Sequence, residues 1–413
     1  MATLALLFPG RGRGRRKPGR RRVRRWCVPS LSVSSSLRPA ALAVVAFATL
    51  TTPPPARTRH VPADYRTIQE AIDSAEPGDT VLVAPGRYVE NIRFGGKGIV
   101  VASEYVVTRD PAVIARTVID GSRPVHPDTA SVVLMIEQED TTAKLIGFTL
   151  TGGRGTIWTD ARQKAQYREG GGVLCELGSP VIEHNIIEGN QAVEVGPGTL
   201  SAGGGGIRCG YAEPIIRNNV IRNNRGEYGG GIVLYHSAGT VLNNVIAANT
   251  GGAGHGGSGM WVVGALSYRL RNVIEQNTIV GNVAVLPDST PTQLGGRGGG
   301  LIAFAPILFR DNIVWGNRQG VGGQIEHSKR RPPELRANLV QDGDEPGGNL
   351  TKDPQFADTV HYYLRAGSPA VDAGDPASPP DPPGSAKARA PALGQRRADL
   401  GAYGGPGSAV LLP

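Results

Sequence analysis

A short phrase recurs five times along the chain, with a Gly-rich start, a few alternating apolar residues and two asparagines in the pattern N-x-x-x-x-N. The pairs are Asn185/Asn190, Asn219/Asn224, Asn244/Asn249, Asn277/Asn282 and Asn312/Asn317, with a degenerate earlier copy at Gly147/Gly152. Successive pairs lie about 25 to 38 residues apart. This variable period excludes a heptad repeat or a fixed array of helical hairpins. It is typical of a solenoid whose turns accept insertions on one side.

The residues between the paired asparagines are β-branched or aromatic, as in Val220-Ile221 and Ile313-Val314-Trp315, which predicts strands rather than helices. Identical asparagines stacked about 4.8 Å apart along a parallel sheet can hydrogen-bond to one another. Asparagine also tolerates the left-handed backbone of a tight corner. We therefore predict a β-solenoid in which the asparagines have a structural role and bind no ligand.

The positive charge of the chain is concentrated at its N-terminus. The 413 residues carry a formal charge of +9, but residues 1–48 contain 11 Lys plus Arg and no acidic residue. The remainder has 33 basic and 35 acidic residues, a net charge of −2. We therefore expect no nucleic-acid partner for this part of the chain. Its 59 Gly and 32 Pro are typical of a turn-rich β protein.

Residues 1–48 have the organisation of an export signal. Residues 11–25 are Arg-rich, residues 40–50 are apolar, and Ala46-Phe47-Ala48 suits a signal peptidase. The apolar run is shorter than the roughly 20 residues of a membrane span. We expect an extracellular or cell-surface monomer without a stable membrane span after cleavage, and a linker over residues 49–60. A wrongly extended start and a retained anchor are the open alternatives.

Cleavage would remove Cys27 and leave Cys175 and Cys209 at equivalent places in neighbouring coils. One strand spacing lies within the Cα separation of roughly 4.4 to 6.8 Å that a disulfide accepts, although parallel Cβ directions strain its torsion. A disulfide and two free buried thiols are therefore both open. Two cysteines without clustered histidines do not form a zinc site.

A short helix is predicted near residue 68, because Thr67 and Glu70 have the spacing of a capping box. Ile68, Ala71 and Ile72 form its apolar stripe. An open solenoid end exposes strand edges and apolar interior, so a terminal helix is expected to cover it.

Three segments at the start of the coil region carry a resemblance to a known family. They are Thr67-Ile68-Gln69-Glu70-Ala71-Ile72, Gly78-Asp79-Thr80-Val81-Leu82-Val83 and Gly86-Arg87-Tyr88-Val89-Glu90-Asn91-Ile92. Together with the paired asparagines, they resemble right-handed parallel β-helix (PbH1 repeat) proteins of the pectin-lyase-like superfamily. The segment from Asp353 is similar to the terminal module of secreted bacterial members. The resemblance implies an all-β right-handed parallel β-helix over residues 61–350 with an N-terminal capping helix, and a partly irregular closing segment over residues 351–413.

The connection from the second asparagine to the next glycine cluster varies widely in length, whereas the distances Val173 to Asn185, Ile207 to Asn219 and Ile232 to Asn244 are all 12 residues. Insertions on one edge commonly mark the binding side of a solenoid, and in the resembled family this edge borders the substrate cleft. The strand after each glycine cluster alternates. We expect inward side chains at Val173/Cys175, Ile207/Cys209, Ile232/Leu234, Met260/Val262 and Leu301/Ala303. We expect outward ones at Leu174, Glu176, Arg208, Val233, Tyr235, Trp261, Ile302 and Phe304.

Tyr235, Trp261 and Phe304 would then form an exposed aromatic strip on which sugars can stack. The alternative is that long loops bury these rings. Arg168 and His255 are further candidates for substrate binding.

The catalytic candidates are Arg208, Glu176 and Asp160. Lyases of this fold abstract a proton with a basic residue and usually use Ca²⁺ held by acidic oxygens. The sequence therefore leaves open whether Ca²⁺ is a cofactor, and we expect no other cofactor. The Asp-Asp and Asn-Thr-Asp motifs of the polygalacturonase branch are not found, nor is the paired Asp arrangement of the esterase branch. We expect a module that binds polysaccharide or cell-surface glycan, with no specific reaction assigned. A lyase or glycoside hydrolase acting on an acidic glycan is the alternative.

Overall fold

The computed structural model describes residues 55–193, 196–252, 255–267, 269–284, 295–330, 332–343, 348–384 and 388–413. These residues belong to one compact unit, Pro54–Pro413. The predicted leader over residues 1–48, including Cys27, lies outside the described residues.

Three long parallel sheets carry the architecture, and each central coil of the solenoid adds one strand to each sheet. Within the described residues, sheet A contains Thr58–Val61, Thr80–Val83, Val100–Ser103, Lys144–Ile146, Val181–Glu183, Ile215–Arg217, Thr240–Leu242, Asn272–Glu275, Ile307–Arg310 and Glu334–Arg336. Sheet B contains Gly86–Tyr88, Thr117–Asp120, Thr149–Thr151, Ile186–Glu188, Val220–Arg222, Val245–Ala247, Thr278–Val280, Ile313–Trp315 and Leu339–Val340. Sheet C contains Ile92–Arg93, Val133–Met135, Val173–Glu176, Ile207–Gly210, Ile232–Tyr235, Met260–Val263, Leu301–Phe304 and Ile325–His327.

Two smaller sheets lie on the edge where the sequence predicts insertions. The edge sheet contains Gln191–Ala192, Arg225–Gly226, Thr250–Gly251 and Val283–Ala284. The second, which we call the flap, contains Thr129–Ala130, Gly155–Asp160, Ala165–Glu169 and Thr199–Gly203. Gly155–Asp160 and Ala165–Glu169 pair antiparallel as a hairpin. The flap is therefore built mainly from the two long connections that precede the coils starting at Val173 and Ile207.

The inward side chains of sheet C are buried in one hydrophobic core that runs the length of the solenoid, as predicted. Cys175 and Cys209 lie opposite each other in the register of two neighbouring strands. Both are buried and free. The structure therefore shows the second of the two predicted alternatives, a pair of unbonded thiols.

The paired asparagines form two side-chain ladders, which confirms their predicted structural role. The first ladder contains Asn185, Asn219, Asn244, Asn277, Asn312 and Asn338, and the second contains Asn190, Asn224, Asn249, Asn282 and Asn317. Each Nδ2 donates to the Oδ1 of the next coil; for example, Asn219 donates to Asn244 over 3.0 Å. The second ladder ends on Gln324, whose Oε1 accepts from Asn317 over 2.8 Å.

Contrary to the prediction, the left-handed residue of each corner is not the ladder asparagine but the residue before it. Positive φ angles occur at His184, Asn218, Asn243, Gln276 and Asp311. The ladder side chains point into the corner and donate hydrogen bonds to backbone carbonyls. The left-handed turn of the backbone is therefore made by the residue before each of them. The degenerate repeat that we predicted at Gly147/Gly152 lies one residue later, at Phe148 and Gly153. The N–H groups of Phe148 and Gly153 donate to Asn185 and Asn190.

The predicted N-terminal helix α1 spans Ile68–Ser74 and has the capping box of Thr67 and Glu70. Its residues Ile68, Ala71 and Ile72 belong to the solenoid core, so the helix covers the first coil. The predicted linker ends earlier than residue 60, because Thr58–Val61 pairs with Thr80–Val83 and extends sheet A. Two short helices follow, α2 (Tyr105–Thr108) and α3 (Pro111–Arg116).

The closing segment packs along the outer face of sheet B. Tyr403, Leu411 and Leu412 share a buried cluster with Val220 and Val245. The residues with left-handed backbone contribute polar contacts; Asn218 Nδ2 donates to the carbonyl of Gly407 over 2.8 Å and Asn243 Nδ2 to that of Gly404 over 2.7 Å. From residue 351 onward, the described chain contains isolated bridges but no helix or longer strand, which agrees with the irregular character predicted.

Candidate functional site

The outer face of sheet C presents its side chains in two rows that run along the solenoid. One row contains Leu174, Arg208, Val233, Trp261, Ile302 and Glu326. The other contains Glu176, Gly210, Tyr235, Val263 and Phe304. Leu174, Val233 and Ile302 are fully buried although they point outward. Part of the outward face is therefore covered, as in the alternative in which loops on the insertion edge fold over it.

Arg208 lies between two carboxylates under the flap. Its Nε is 2.6 Å from Glu169 Oε2, and its Nη1 pairs with Glu176 Oε1. The three side chains are 2%, 3% and 0% exposed for Arg208, Glu169 and Glu176. Gly210 leaves the space that this contact needs, since a Cβ there would lie 2.0 Å from Arg208 Nη1. Tyr228 Oη donates to Glu169 Oε1 over 2.5 Å.

This triad, Glu169, Arg208 and Glu176, places two carboxylates against one guanidinium away from water. Burial raises the pKa of Glu169, although Arg208 and Tyr228 oppose the change. The structure thus brings together Arg208 and Glu176, the predicted catalytic pair. It does not leave them accessible, since the hairpin strand Ala165–Glu169 supplies the third member of the triad and closes over it.

Asp160, the third catalytic candidate, closes the turn of the flap hairpin. Its carboxylate accepts from the N–H groups of Arg162 at 2.8 Å and Gln163 at 3.0 Å, and from Tyr211 Oη at 3.1 Å. Burial alone would raise the pKa of Asp160, but these hydrogen bonds outweigh it and lower the pKa. The carboxylate is therefore ionised at neutral pH and engaged in holding the turn.

A group of aromatic rings lies beside the triad, and we call Tyr211, Tyr228, Tyr235, His236 and Trp261 the aromatic surface. Tyr235 and Trp261 stack with centroids 6.1 Å apart, and Tyr211 meets Tyr235 edge-on at 5.7 Å. Tyr228 is buried behind Trp261 at 5.1 Å, whereas the other four rings are half-buried. Tyr235 and Trp261 therefore form a stacked pair that is partly exposed.

The third ring of the predicted strip is set apart from this pair. Phe304 is half-buried and lies in the same row as Tyr235, but Val263 stands between them. Trp261 belongs to the other row. The strip is consequently a compact group at the flap, with Phe304 as an outlying member two coils away from Tyr235.

The turn of the flap hairpin rests on the aromatic surface. Gln163 Nε2 donates to Tyr235 Oη over 2.5 Å, and Arg162 Cζ lies 3.9 Å from the centroid of the Tyr211 ring. Burial raises the pKa of both Tyr211 and Tyr235. Both phenols therefore remain protonated at neutral pH and can donate as well as accept hydrogen bonds.

Arg168 and His255, the other predicted binding residues, have different positions. Arg168 is buried and binds Asp128 at 2.9 Å and the carbonyl of Pro127 at 3.0 Å. It braces the flap and does not line an accessible surface, so its predicted binding role does not agree with the structure. His255 is exposed, and its ring meets Tyr228 edge-on at 5.7 Å, at the border of the aromatic surface.

Across the described residues, no group of three or more His, Cys, Asp or Glu side chains is arranged to hold a metal ion. The described part of the chain also contains no helix of the length and apolarity needed to cross a membrane.

Several residues of the site were missed by sequence reasoning, namely Tyr211, Tyr228, His236 and Gln163. A signal existed for one pair. Tyr211 and His236 directly follow the register-matched residues Gly210 and Tyr235, and their rings stack with centroids 5.3 Å apart. Rings at equivalent positions of successive coils stack for the same reason as the ladder asparagines. Gln163 lies in an insertion, and no repeat position predicts its contact.

Residues 166–339 match the family model described as the right handed beta helix region. The fold is a right-handed parallel β-helix. The predicted fold class is thereby confirmed, and the β-helix continues on both sides of the matched residues through the same three sheets. No curated protein matches this sequence.

Solved structures similar to the β-helix include three lyases. A pectate lyase, Pel9A, has 14% identity and a TM-score of 0.36, with 81% of this chain and 90% of that chain covered. A PL6 alginate lyase in complex with a trisaccharide has 13% identity and a TM-score of 0.28, with coverage of 69% and 80%. The PL6 alginate lyase AlyGC has 13% identity and a TM-score of 0.26, with coverage of 75% and 55%. Likenesses at this level carry no argument about activity.

Proposed function

We propose that this β-helix binds a polysaccharide on the outer face of sheet C, with the aromatic surface as the contact. The observation that carries the proposal is the half-buried pair Tyr235 and Trp261, stacked on adjacent coils with Tyr211 beside them. Large aromatic rings left partly open on a folded surface usually mark a binding site. The apolar C–H face of a sugar ring can pack on such rings, while hydroxyl groups at its rim reach their polar edges.

The scaffold under these rings favours binding of an extended polymer. Tyr235 and Trp261 are held by parallel strands whose inward residues are fully buried, so little side-chain freedom remains to be lost on binding. The row directions follow the solenoid axis, so consecutive sugars of one chain can lie along consecutive coils. Tyr235, Tyr211 and His236 add hydrogen-bonding groups at the edge of the rings.

The geometry favours binding without chemistry over catalysis. A catalytic acid or base must come within hydrogen-bond reach of its substrate. The triad of Glu169, Arg208 and Glu176 is buried, and Asp160 is engaged in the flap turn. A lyase or hydrolase remains the second candidate. It is favoured by the raised pKa of Glu169, which a general acid requires, and it demands that the flap leave sheet C before reaction.

An extracellular or cell-surface location, where such polymers occur, is part of this proposal. It is supported by the basic, then apolar organisation of residues 1–48. The partner is a polysaccharide or a cell-surface glycan, bound by a monomer.

The deciding experiment incubates the exported form, from residue 49, with an array of plant, algal and bacterial polysaccharides, with and without Ca²⁺. Retention and new reducing or unsaturated chain ends are read together. We expect retention of at least one polymer without new ends. The double variant Tyr235→Ala/Trp261→Ala should then bind about tenfold or more weakly, which corresponds to about 1.4 kcal/mol or more.

The matched control is Tyr362→Ala, which removes a half-buried ring that packs on Phe356, away from sheet C. Its affinity should equal that of the parent. Thermal melts of both variants confirm that the coils are intact. The proposal is refuted if no polymer is retained even after the contacts of Arg162 and Gln163 with Tyr211 and Tyr235 are removed, or if the double variant binds as tightly as the parent. New chain ends would instead establish the enzymatic alternative.

A further inference from the structure

The turn of the flap hairpin, residues 161–164, occupies part of the aromatic surface, and we call it the flap tip. The Arg162 guanidinium carbon lies 3.9 Å from the Tyr211 ring centroid, which is the distance of direct stacking. Gln163 holds the Tyr235 hydroxyl at 2.5 Å, and Tyr167 Oη in turn donates to Gln163 Oε1 over 2.9 Å. The Arg162 guanidinium covers the Tyr211 ring, and the Gln163 amide bonds the Tyr235 hydroxyl. A bound sugar would pack and form hydrogen bonds at these same two places.

A second observation concerns Trp261, whose ring stacks with that of Tyr235. The indole Nε1 of Trp261 is buried, and no described residue accepts a hydrogen bond from it. Buried donors in folded proteins are nearly always paired, so an unpaired one calls for an explanation. A ligand hydroxyl that reaches Trp261 after the neighbouring contacts rearrange would supply the missing acceptor.

The base and the tip of the flap are held very differently. At the base, Glu169 is fixed by buried Arg208, and Arg168 is bonded to Asp128. At the tip, Arg162, Gln163 and Lys164 are exposed. Exposed contacts open at lower cost than buried ones. The side chains of Arg162 and Gln163 can therefore leave the rings while the base, together with the buried Asp160 that accepts from Tyr211 Oη, stays anchored.

We propose that the flap tip is an autoinhibitory element that competes with polysaccharide for Tyr211 and Tyr235, and that a bound polymer displaces it. This inference rests on the proposed function of the aromatic surface. In the free protein, Arg162 covers the Tyr211 ring and Gln163 caps Tyr235. In the complex, sugars take both positions, and the base of the hairpin keeps the tip close enough to return when the polymer leaves.

The test uses the exported form with Arg162→Ala/Gln163→Ala, which removes both tip contacts, and Lys164→Ala as the matched control. Lys164 is exposed in the same turn and carries the same charge as Arg162. The double variant should bind the polymer about three- to tenfold more tightly, because one cation–π contact and one hydrogen bond no longer compete. The control should retain the parent's affinity.

Hydroxyl-radical footprinting without ligand, resolved by peptide mass spectrometry, provides a readout that needs no polysaccharide. Oxidation of Tyr211 and Tyr235 should rise in the double variant and stay at the parent's level in Lys164→Ala. Unchanged oxidation of both tyrosines overturns the inference, because the tip then shields neither ring.

The two proposals fail in different ways. If the parent binds polymer and Tyr235→Ala/Trp261→Ala does not, but the tip variant gains no affinity, the tip is no competitor and only the inference is overturned. If neither the parent nor the tip variant binds any polymer, the proposed function is refuted and the inference falls with it. Binding by the tip variant alone would support both.

Discussion

Replacing one rung of the asparagine ladder provides the strongest test of what stabilises the β-helix. Asn244 lies in the middle of the first ladder and is fully buried. Its Nδ2 donates to the carbonyls of Ile216 and Leu242, both at 2.9 Å, and to Asn277 Oδ1 at 3.0 Å. Its Oδ1 accepts from the N–H and the Nδ2 of Asn219, both at 3.0 Å.

Asn244→Ala therefore removes five hydrogen bonds and leaves the backbone N–H of Asn219 buried without its acceptor. A hydrogen bond contributes about 1 kcal/mol net, and an orphaned buried donor costs about 1 to 3 kcal/mol. Some of the lost partners keep other bonds; Asn219 Nδ2, for example, still donates to the carbonyl of Ile182. We therefore expect the free energy of unfolding to fall by about 3 to 5 kcal/mol.

The measurement is urea unfolding followed by circular dichroism, together with hydrogen exchange of the amides in the coils of Asn219 and Asn277. The matched control is Asn223→Gly on the preceding coil. Asn223 is exposed and has φ of 55°, which glycine adopts without strain, so its loss should change stability by about 0.5 kcal/mol or less. If Asn244→Ala costs no more than this control, the ladders do not stabilise the fold and the reasoning is refuted.

Two further predictions concern the closing segment and the glycine-lined edge. Burial, with the charge of Asp399 beside it, raises the pKa of Asp381 to about 7, and burial raises that of Asp399 to about 6, against an ordinary value of 3.8. Because the pKa values of both carboxyl groups are higher in the folded protein than in the unfolded chain, the folded segment keeps protons that the unfolded chain releases. The contribution of these two carboxyl groups to stability is then fully present below about pH 4 and is lost as pH rises to about 7. Asp381→Asn should flatten this fall in thermal melts between pH 4 and 8, and an unchanged slope would contradict the assignment. At the edge sheet, a Cβ on Gly251 would lie 1.9 Å from the carbonyl oxygen of Gly226, so Gly251→Ala should cost about 3 kcal/mol or more in unfolding experiments. Gly281→Ala, where nothing lies within 4 Å of the added Cβ, should cost only the roughly 1 to 2 kcal/mol of its left-handed backbone, and equal losses would show that the close approach is not the cause.

Features that repeat with the coil could be predicted from the sequence. The alternation of Val173 and Cys175 with Leu174 and Glu176 predicts which side chains enter the core, and the spacing of the asparagines predicts both ladders. These inferences succeed because each coil places the same residue in the same environment, so one physical rule applies many times. The capping box at Thr67 was predictable for a related reason, since it depends on residues three positions apart.

Features that depend on packing between distant segments could not be predicted. The closing segment docks through Asn218 and Gly407, which are 189 residues apart, and nothing periodic connects them. The position of the left-handed residue, one before the ladder asparagine, could not be predicted either, because it also depends on packing. Whether Asn218 or Asn219 takes the left-handed backbone depends on which side chain finds acceptors inside, and the sequence pattern allows both choices.

The site shows how these two kinds of information combine. Repeat positions place Glu176 and Arg208 on adjacent coils. In the register of these two strands, however, Glu176 lies opposite Gly210, and Arg208 belongs to the other row. Arg208 reaches Glu176 because Gly210 carries no side chain, and it is buried because an insertion delivers Glu169 to its other side. Without both carboxylates, the Arg208 guanidinium would be an uncompensated buried charge. The triad therefore ties a non-repeating hairpin to the repeating scaffold, and the position of this anchor determines which rings of the aromatic surface the flap tip can reach.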